Sequence, residues 1–203
     1  MSEEVDVELV LASASKSRQS LLENAGLEFH TIPATVDESE LKHSLQAAGA
    51  SALETAIALA ELKALKISRD FPNHLIIGAD QMLECNGVWF DKPPDMSHAR
   101  AHLRALRGKT HQLQNAVCVA KTGTIIWHYS NTARLEMRKF SDEFLDSYLE
   151  EAGEDILFSV GAYQLEGLGA QLFNKVDGDF FSILGLPLLP LIDFLRGHGL
   201  VKS

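Results

Sequence analysis

Apolar residues recur along this chain at two spacings, and each spacing predicts one kind of element. Residues 51–70, SALETAIALAELKALKISRD, place apolar side chains three and four positions apart, which predicts the clearest helix of the chain. Further helices are predicted over 18–26, over 97–108 and over 141–153, the last of which opens at a Ser/Asp cap. Pro187 begins the final predicted helix.

Short apolar runs predict strands over residues 7–13, 27–36 and 74–80. Asn86-Gly87 is a strong hairpin signal, and a second hairpin is predicted at 121–123, between two long strands within residues 110–140. Long hairpin strands argue against a purely parallel sheet, so the pattern predicts a mixed α/β fold. Since no linker rich in Pro, Gly or Ser divides the chain, residues 1–203 are expected to form a single domain.

The charge and composition of the chain argue against nucleic-acid and membrane partners. The chain has a formal net charge of -10, whereas a protein that binds duplex nucleic acid usually needs a basic face, so nucleic acid is not expected as a partner. Cys85 and Cys118 lack metal-site spacing and are expected to be reduced thiols. The N-terminus is acidic rather than signal-like, and GLPLLPLIDFL is too short to span a bilayer, so we expect a cytoplasmic protein with no membrane partner.

The segment LVLASASKSR, residues 9–18, carries the first candidate site. A buried strand, a polar loop and a helix start form a geometry that binds phosphate, because the unpaired N–H groups and the helix dipole both favour an anion. Ser13 supplies a hydroxyl, and Arg18 can grip phosphate oxygens with a bidentate fork. The segment lacks the glycines of a Walker loop, and a solvated helix cap with a surface arginine is the alternative interpretation.

Two groups of acids follow predicted strands. Asp80 ends HLIIGAD, where an acid is a candidate metal ligand or general base, and Asp37 and Glu38 follow the strand predicted over 27–36. One acid from each strand end could hold Mg²⁺ or Mn²⁺, which take oxygen ligands and bridge to phosphates. Solvated turn or cap residues are the alternative in both places.

Lysines could add positive charge to the same site. Lys63 lies within the helix predicted over 51–70, and Lys92 precedes Pro93 on a stiff turn, where a fixed cation could stabilise phosphate charge. Surface lysines are the commoner explanation for either. His111, on an alternating strand, is interpreted as a hydrogen-bonded packing residue.

The blocks LASASKSR, VDE, LAELKA, GADQ, DKP, LRGKTH, GAYQLEG and GLPLLPL occur in this order, and together they resemble the Maf family of nucleotide pyrophosphatases over residues 9–196. The resemblance implies an α/β fold with an elongated mixed sheet flanked by helices and two lobes around a central cleft. It also implies hydrolysis of a nucleoside triphosphate, a modified or methylated one included, to the monophosphate and pyrophosphate.

The resemblance also assigns roles by motif. It makes Asp80 the general base, with a divalent ion held by Glu38 and Asp80; whether Asp80 itself deprotonates the attacking water or acts through the ion stays open. The residues that it assigns to the substrate phosphates are Ser13, Arg18, Lys63 and Lys92.

Three further positions match those that correlate with base choice in the family: Ser17, Gln81 and Glu166. A glutamate suits the N–H groups of a guanine edge or a cationic methylated guanine, so Gln81 and Glu166 are similar to the branch of 7-methyl-GTP pyrophosphatases. The chain departs from that branch at Ser17, where the branch has an aromatic residue, and at Lys16, where it has proline.

Two other functions fit the sequence. A non-catalytic nucleotide-binding regulator of cell division would use the same cleft without turnover. An interaction module would instead dock a partner on the apolar C-terminal helix. Because dimers are the commonest assembly and relatives in the family tend to dimerise, a homodimer is expected.

Overall fold

The computed structural model describes residues 8–202, so Val7, the first residue of the strand predicted over 7–13, lies outside the described part. Within residues 8–202 the helices are α1 Lys16–Asn24, α2 Glu38–Ala47, α3 Ala52–Ser68, α4 Met96–Leu106, α5 Asp142–Ala152, α6 Phe180–Ile183 and α7 Leu188–Gly197. Two 3₁₀ turns cover Gly153–Phe158 and Leu168–Leu172.

The strands of the same part of the chain are β1 Leu9–Leu11, β2 His30–Thr31, β3 Leu75–Cys85, β4 Val88–Phe90, β5 Thr110–Lys121, β6 Thr124–Met137 and β7 Phe173–Asp177. They form a seven-stranded sheet in the order β2-β1-β3-β5-β6-β7, with β4 paired to β3. β1 pairs in parallel with β2 and β3, whereas β3 with β4 and β6 with β7 are antiparallel. The predicted mixed α/β class is therefore confirmed.

Both predicted hairpins are confirmed, because β3 turns into β4 at Asn86-Gly87 and β5 turns into β6 at Thr122-Gly123. Asn86 and Thr122 each have a φ of 52°, followed by a glycine with positive φ. These left-handed pairs are the backbone that a tight two-residue turn requires. The helix predicted over 51–70 is α3, and its N-terminus has the Ser51/Glu54 capping box.

The strand predicted over residues 27–36 is wrong, since only His30–Thr31 pair with β1. The rest of the segment is exposed or half-buried, and Pro33 has no N–H to donate to a ladder. The pattern also failed to predict α2. That helix buries none of its side chains, so it shows no apolar stripe, and the Asp37 carboxylate caps it by accepting from Glu40 N.

Residues 8–202 divide into two compact units, the first made of residues 8–81, 115–131 and 185–202 and the second of residues 82–114 and 132–184. In the first unit, β1 and the start of β3 are buried, and α3 approaches β3 at Gly78 through Ala60 and Ala64. The apolar core of the second unit includes Leu103, Leu135 and Leu145.

Helix α7 was the basis for the interpretation as an interaction module. It buries Leu188, Leu191 and Leu195, and Phe194 stacks on Trp127 within the first unit, while Leu189 is 59 % exposed. Most of the apolar face is thus used inside the chain, and the helix needs no partner to cover it. No helix within residues 8–202 is both long and apolar enough to cross a bilayer.

Candidate active site

The loop after β1 leads directly into a capped helix. The hydroxyl of Ser15 accepts from Arg18 N and caps α1, so the helix begins at Lys16 instead of Arg18, where the sequence pattern placed it. The Ser13 hydroxyl accepts from Ser15 N at 3.3 Å. Lys16 and Ser17, both exposed, consequently lie in the first turn of α1, at the positive end of the helix dipole, which favours an anion.

Arg18 is held on two sides. Its Nε donates to the carbonyl of Gly185 at 2.8 Å, and its Nη1 donates to the Ser13 hydroxyl at 3.1 Å. The side chain is buried, and burial lowers the pKa of Arg18 while the nearby charges of Asp80 and Glu38 raise it. A guanidinium stays protonated through such a shift, so Arg18 is a positioned permanent cation rather than a surface arginine.

Lys63 connects the two acids that the sequence singled out. Its Nζ lies 2.6 Å from Asp80 Oδ1 and 2.7 Å from Glu38 Oε1. Lys63 and Asp80 are both buried, whereas the Glu38 side chain is 42 % exposed. Partial burial pushes the pKa of Glu38 up, but the charge and hydrogen bond of Lys63 outweigh it, so the net pKa is lowered.

The second oxygen of Asp80 is the most unusual atom of this cluster. Oδ2 is buried and has no hydrogen-bond partner among the described residues. Buried carboxylate oxygens are normally satisfied, and an exception calls for an explanation such as an ion, a water or a catalytic role. Asp80 therefore has one oxygen fixed by Lys63 and one available to a ligand.

The convergence of Lys63 and Asp80 depends on a glycine. A Cβ built on Gly78 would lie 2.1 Å from the carbonyl oxygen of Ala60 and 2.8 Å from Ala64 Cβ, so only a glycine lets α3 approach β3 this closely. Gly78 and Asp80 are two positions apart and share one face of β3, while Ala60, Lys63 and Ala64 share one face of α3. The close approach brings the Lys63 side chain to the Asp80 carboxylate.

Two expectations about the acids need correction. Asp80 does not end a strand, because β3 continues to Cys85; it instead lies beyond the parallel ladder with β1, which stops at Leu11 opposite Ile77. Glu38 does not follow a strand either, because it is the first residue of α2. The acids nevertheless meet at Lys63, so the pairing of these two side chains was predicted while its structural basis was not.

The remaining predicted residues lie in different parts of the chain. Gln81 follows Asp80 in the first unit, and its Nε2 donates to Asn115 Oδ1 at 2.8 Å. Lys92 and Glu166 are both exposed and belong to the second unit. Their participation in the site stays a prediction.

Sequence reasoning missed two residues that touch the predicted ones. Gly185 fixes Arg18 from 167 positions away, a contact that no local pattern could reveal, although Gly185 stands in a quoted block, GLPLLPL. Asn115 is fully buried on β5, just before the apolar run AVCVA. A polar residue beside such a run was the one available signal for Asn115.

Asp80 and Glu38 suit a hard divalent cation, as judged from their chemistry. Mg²⁺ is usually bound by one or two carboxylates together with waters and substrate phosphates rather than by a full cage of protein ligands. Residues 8–202 contain no cluster of three or more His, Cys, Asp or Glu side chains able to hold a metal by themselves. The unpartnered Asp80 Oδ2 and the half-exposed Glu38 fit a site completed by the substrate.

Comparison with known proteins gives a consistent result. The family model described as Maf-like protein matches residues 8–198. The chain is 55 % identical over 192 residues to a nucleoside triphosphate pyrophosphatase of Granulibacter bethesdensis, covering 95 % of this chain and 98 % of that protein. It is 55 % identical over 190 residues to a protein of the same description from Paramagnetospirillum magneticum, covering 94 % and 98 %.

A third relative carries a narrower description. The 7-methyl-GTP pyrophosphatase of Rhizobium meliloti is 46 % identical over 195 residues, which are 96 % of this chain and 98 % of that protein. Each of the three alignments covers at least 94 % of this chain.

Proposed function

The chain belongs to the Maf family, and on that premise we propose that it hydrolyses a nucleoside triphosphate between the α and β phosphates. The products are the nucleoside monophosphate and pyrophosphate, so the enzyme is a hydrolase acting on acid anhydrides. The observation that carries this proposal is the buried cluster in which Arg18, Lys63 and Glu38 surround an Asp80 with one unpartnered oxygen.

The phosphates are bound by groups at the start of α1 and by the buried cations. Ser13, the N-terminus of α1 and Arg18 offer hydrogen-bond donors and positive charge to a triphosphate. Lys63 adds a second positive charge, and Lys92 of the second unit is proposed as a third. Fixed cations of this kind stabilise the charge that develops on the leaving pyrophosphate.

Asp80 is proposed to orient and deprotonate the water that attacks the α-phosphorus. In the nucleotide-free chain Oδ1 lies 2.6 Å from Lys63 Nζ, whereas Oδ2 has no partner and is proposed to accept the hydrogen bond from that water. A water positioned opposite the leaving pyrophosphate satisfies the in-line geometry of phosphoryl transfer. Asp80 and Glu38 would hold Mg²⁺ or Mn²⁺, which supplies charge neutralisation on the phosphates when bound.

The base is proposed to be guanine-like, unmodified or methylated. Glu166 is acidic and exposed, and a carboxylate accepts from the N–H groups of a guanine edge. Gln81 adds an amide next to Asp80. Ser17 offers a hydroxyl where an aromatic residue would stack, so we expect weaker stacking on the base than an aromatic residue would give.

A homodimer in the cytoplasm completes the proposal. Closed dimers are the commonest assembly of soluble proteins. Sedimentation velocity of the purified full chain tests the assembly, and a single species of about the 22.3 kDa chain mass would contradict the dimer.

A panel of triphosphates, incubated with the full chain and Mg²⁺ or Mn²⁺, tests the function through the release of pyrophosphate. We expect pyrophosphate and monophosphate in equal amounts, fastest with guanine nucleotides or their methylated forms, and no release in excess EDTA. Nucleotide binding without pyrophosphate from any member of the panel would instead support the non-catalytic regulator.

The variant Glu166→Gln tests the base assignment within the same panel. A glutamine presents a donor as well as an acceptor, so we expect the preference to move from guanine towards uracil or thymine nucleotides. Glu151→Gln, at an exposed acid of α5, is the matched control and should leave the preference unchanged. An unchanged ranking of substrates in Glu166→Gln would remove Glu166 from base selection.

A further inference from the structure

Lys63 occupies the position between the two carboxylates that would hold a divalent ion. We propose that Lys63 is an exchangeable internal counter-ion, which bridges Glu38 and Asp80 until a nucleotide draws its ammonium onto the phosphates and leaves the carboxylates to the divalent cation. The inference rests on the proposed function and adds a competition between the protein's own cation and the ion.

The contacts define this competition. One atom, Lys63 Nζ, lies within 2.7 Å of both Glu38 Oε1 and Asp80 Oδ1, so the two carboxylate oxygens face a common point. Mg²⁺ holds its oxygens at about 2.1 Å in a compact octahedron. An ion that binds both carboxylates must therefore approach the point where the ammonium lies.

The charges of the cluster also indicate that the ion and the Lys63 ammonium compete. Arg18 and Lys63 are positive and Glu38 and Asp80 are negative, so these four side chains are neutral together, and Lys42 adds a further positive charge near Glu38. A divalent ion added to this neutral group would put two further positive charges close to the buried ammonium and guanidinium. A triphosphate removes that obstacle, because it offers Lys63 new negative partners while the ion neutralises the carboxylates.

The two cations differ in their freedom to move. Arg18 is fixed through Nε by the Gly185 carbonyl and through Nη1 by Ser13. The contacts of Lys63 Nζ are to the two carboxylates, and its four-carbon stem can change rotamer without moving α3. Glu38, with 42 % of its side chain exposed, is likewise able to turn towards an ion at the surface of the unit.

An exchange of this kind has a thermodynamic consequence. If the nucleotide removes Lys63 from the carboxylates, it raises the affinity for the cation, and the cation must raise the affinity for the nucleotide by the same factor. The ion alone should bind the wild-type protein weakly. The cost of displacing the lysine should disappear when the lysine is replaced.

Calorimetric titration of Mn²⁺ into the nucleotide-free full chain tests the competition without any turnover. We expect Lys63→Met to bind Mn²⁺ about tenfold or more tightly than wild type, within the usual range of such couplings. Lys66→Met is the matched control, because Lys66 lies on the same helix, is exposed and donates to the Thr35 carbonyl. It makes the same change in net charge and should bind Mn²⁺ as wild type does.

Equal or weaker Mn²⁺ binding by Lys63→Met would overturn the proposal. Should that variant fail to fold without the ion, Lys63→Gln, which can still donate to Asp80, is judged by the same criterion. The outcome is separable from the proposed function: tighter Mn²⁺ binding in a chain that releases no pyrophosphate would keep the exchange and reject the hydrolase, whereas active wild type with unchanged Mn²⁺ affinity in the variant would do the reverse.

Discussion

At the scale of single residues, Asp80 differs from every other acid in the described chain, because it is buried beside a lysine and has an oxygen with no partner. The other ion-paired acids, such as Asp142 and Asp193, are close to half exposed or more. Exposed pairs of that kind contribute little to stability or chemistry. This difference is the basis for proposing Asp80 as the residue that acts on the attacking water.

The substitution Asp80→Asn tests this difference. Asparagine has nearly the same shape and can still accept from Lys63, but it cannot take a proton, so we expect turnover to fall by about two orders of magnitude or more. Pyrophosphate release under saturating substrate measures the effect. Asp193→Asn, on α7, is the matched control and should turn over as wild type does. Near wild-type turnover in Asp80→Asn would show that another group activates the water.

Most side chains of the site were predicted from the sequence, but two of their partners were not. Ser13, Arg18, Lys63, Asp80 and Glu38 were each named from local motifs and a family resemblance, and the structure brings these five together. The carbonyl of Gly185 and the amide of Asn115 were not named. A contact made by a backbone carbonyl, or by a lone polar residue on a buried strand, has no signature in the spacing of side-chain types.

At the scale of elements, the close packing of α3 on β3 decides whether the site forms. The capping box at Ser51 fixes where α3 begins, and Gly78 fixes how near it lies to β3. Small residues at the crossing, Ala60 and Ala64, complete the fit. The helix was predicted from its periodicity, but the closeness of its approach was not, because it depends on which glycine faces which backbone oxygen.

Gly78→Ala is expected to separate α3 from β3. The new methyl group would overlap the Ala60 carbonyl oxygen, and overpacking of this kind costs about 1–3 kcal/mol or more. Because the shift also separates Lys63 from Asp80, we expect turnover to fall along with stability. Urea unfolding and pyrophosphate release measure the two effects.

Gly197→Ala is the control for this prediction. Gly197 is the last residue of α7, has no positive φ, and a Cβ there would meet nothing within 4 Å. The variant should unfold within about 1 kcal/mol of wild type, the scale of the Gly-to-Ala difference in a helix. If Gly78→Ala were as stable and as active as Gly197→Ala, the glycine would not set the spacing.

A buried histidine on β5, in the second unit, is expected to make the free energy of unfolding depend on pH. His111 is fully buried, its Nε2 lies 2.7 Å from the Tyr163 hydroxyl, and burial lowers its pKa to about 4. Its interpretation as a hydrogen-bonded packing residue is therefore confirmed. An unfolded chain protonates this histidine near pH 6.5, so the unfolded state binds more protons between pH 6.5 and pH 4.

Because the unfolded chain binds the extra proton at His111, acid should favour unfolding. The free energy of unfolding should fall as the pH drops from about 6.5 to about 4, by a total of about 3 kcal/mol from His111. His111→Gln keeps a hydrogen-bonding partner for Tyr163 but does not titrate, so its deficit relative to wild type should shrink across the same interval. Urea unfolding of both proteins at pH 7 and pH 4.5 measures it; parallel curves would contradict the assignment.

At the scale of the whole molecule, the mixed α/β class was predicted from the alternation of helical and strand patterns, and the two hairpins were predicted from their turn residues. The single-domain organisation and the cleft stay predictions. The division into two compact units was not predicted, because the break at residues 81–82 falls inside β3. A division inside a continuous strand has no linker and so no compositional signal.

The net negative charge of the chain is compatible with binding a polyphosphate at one site. The net charge of -10 argues against a broad basic face, yet the site around Asp80 contains two buried cations, Arg18 and Lys63. A small polyphosphate needs only this local arrangement, since recognition depends on nearby donors rather than on total charge.

The position of bond cleavage decides whether water attacks the α-phosphorus. Hydrolysis of the best nucleotide in ¹⁸O-labelled water, followed by mass spectrometry of the products, shows which phosphorus the water attacks. If Asp80 directs water to the α-phosphorus, the label appears in the nucleoside monophosphate and the pyrophosphate is unlabelled. Label in pyrophosphate, or a nucleoside diphosphate with labelled orthophosphate, would show that water attacks the β- or γ-phosphorus instead.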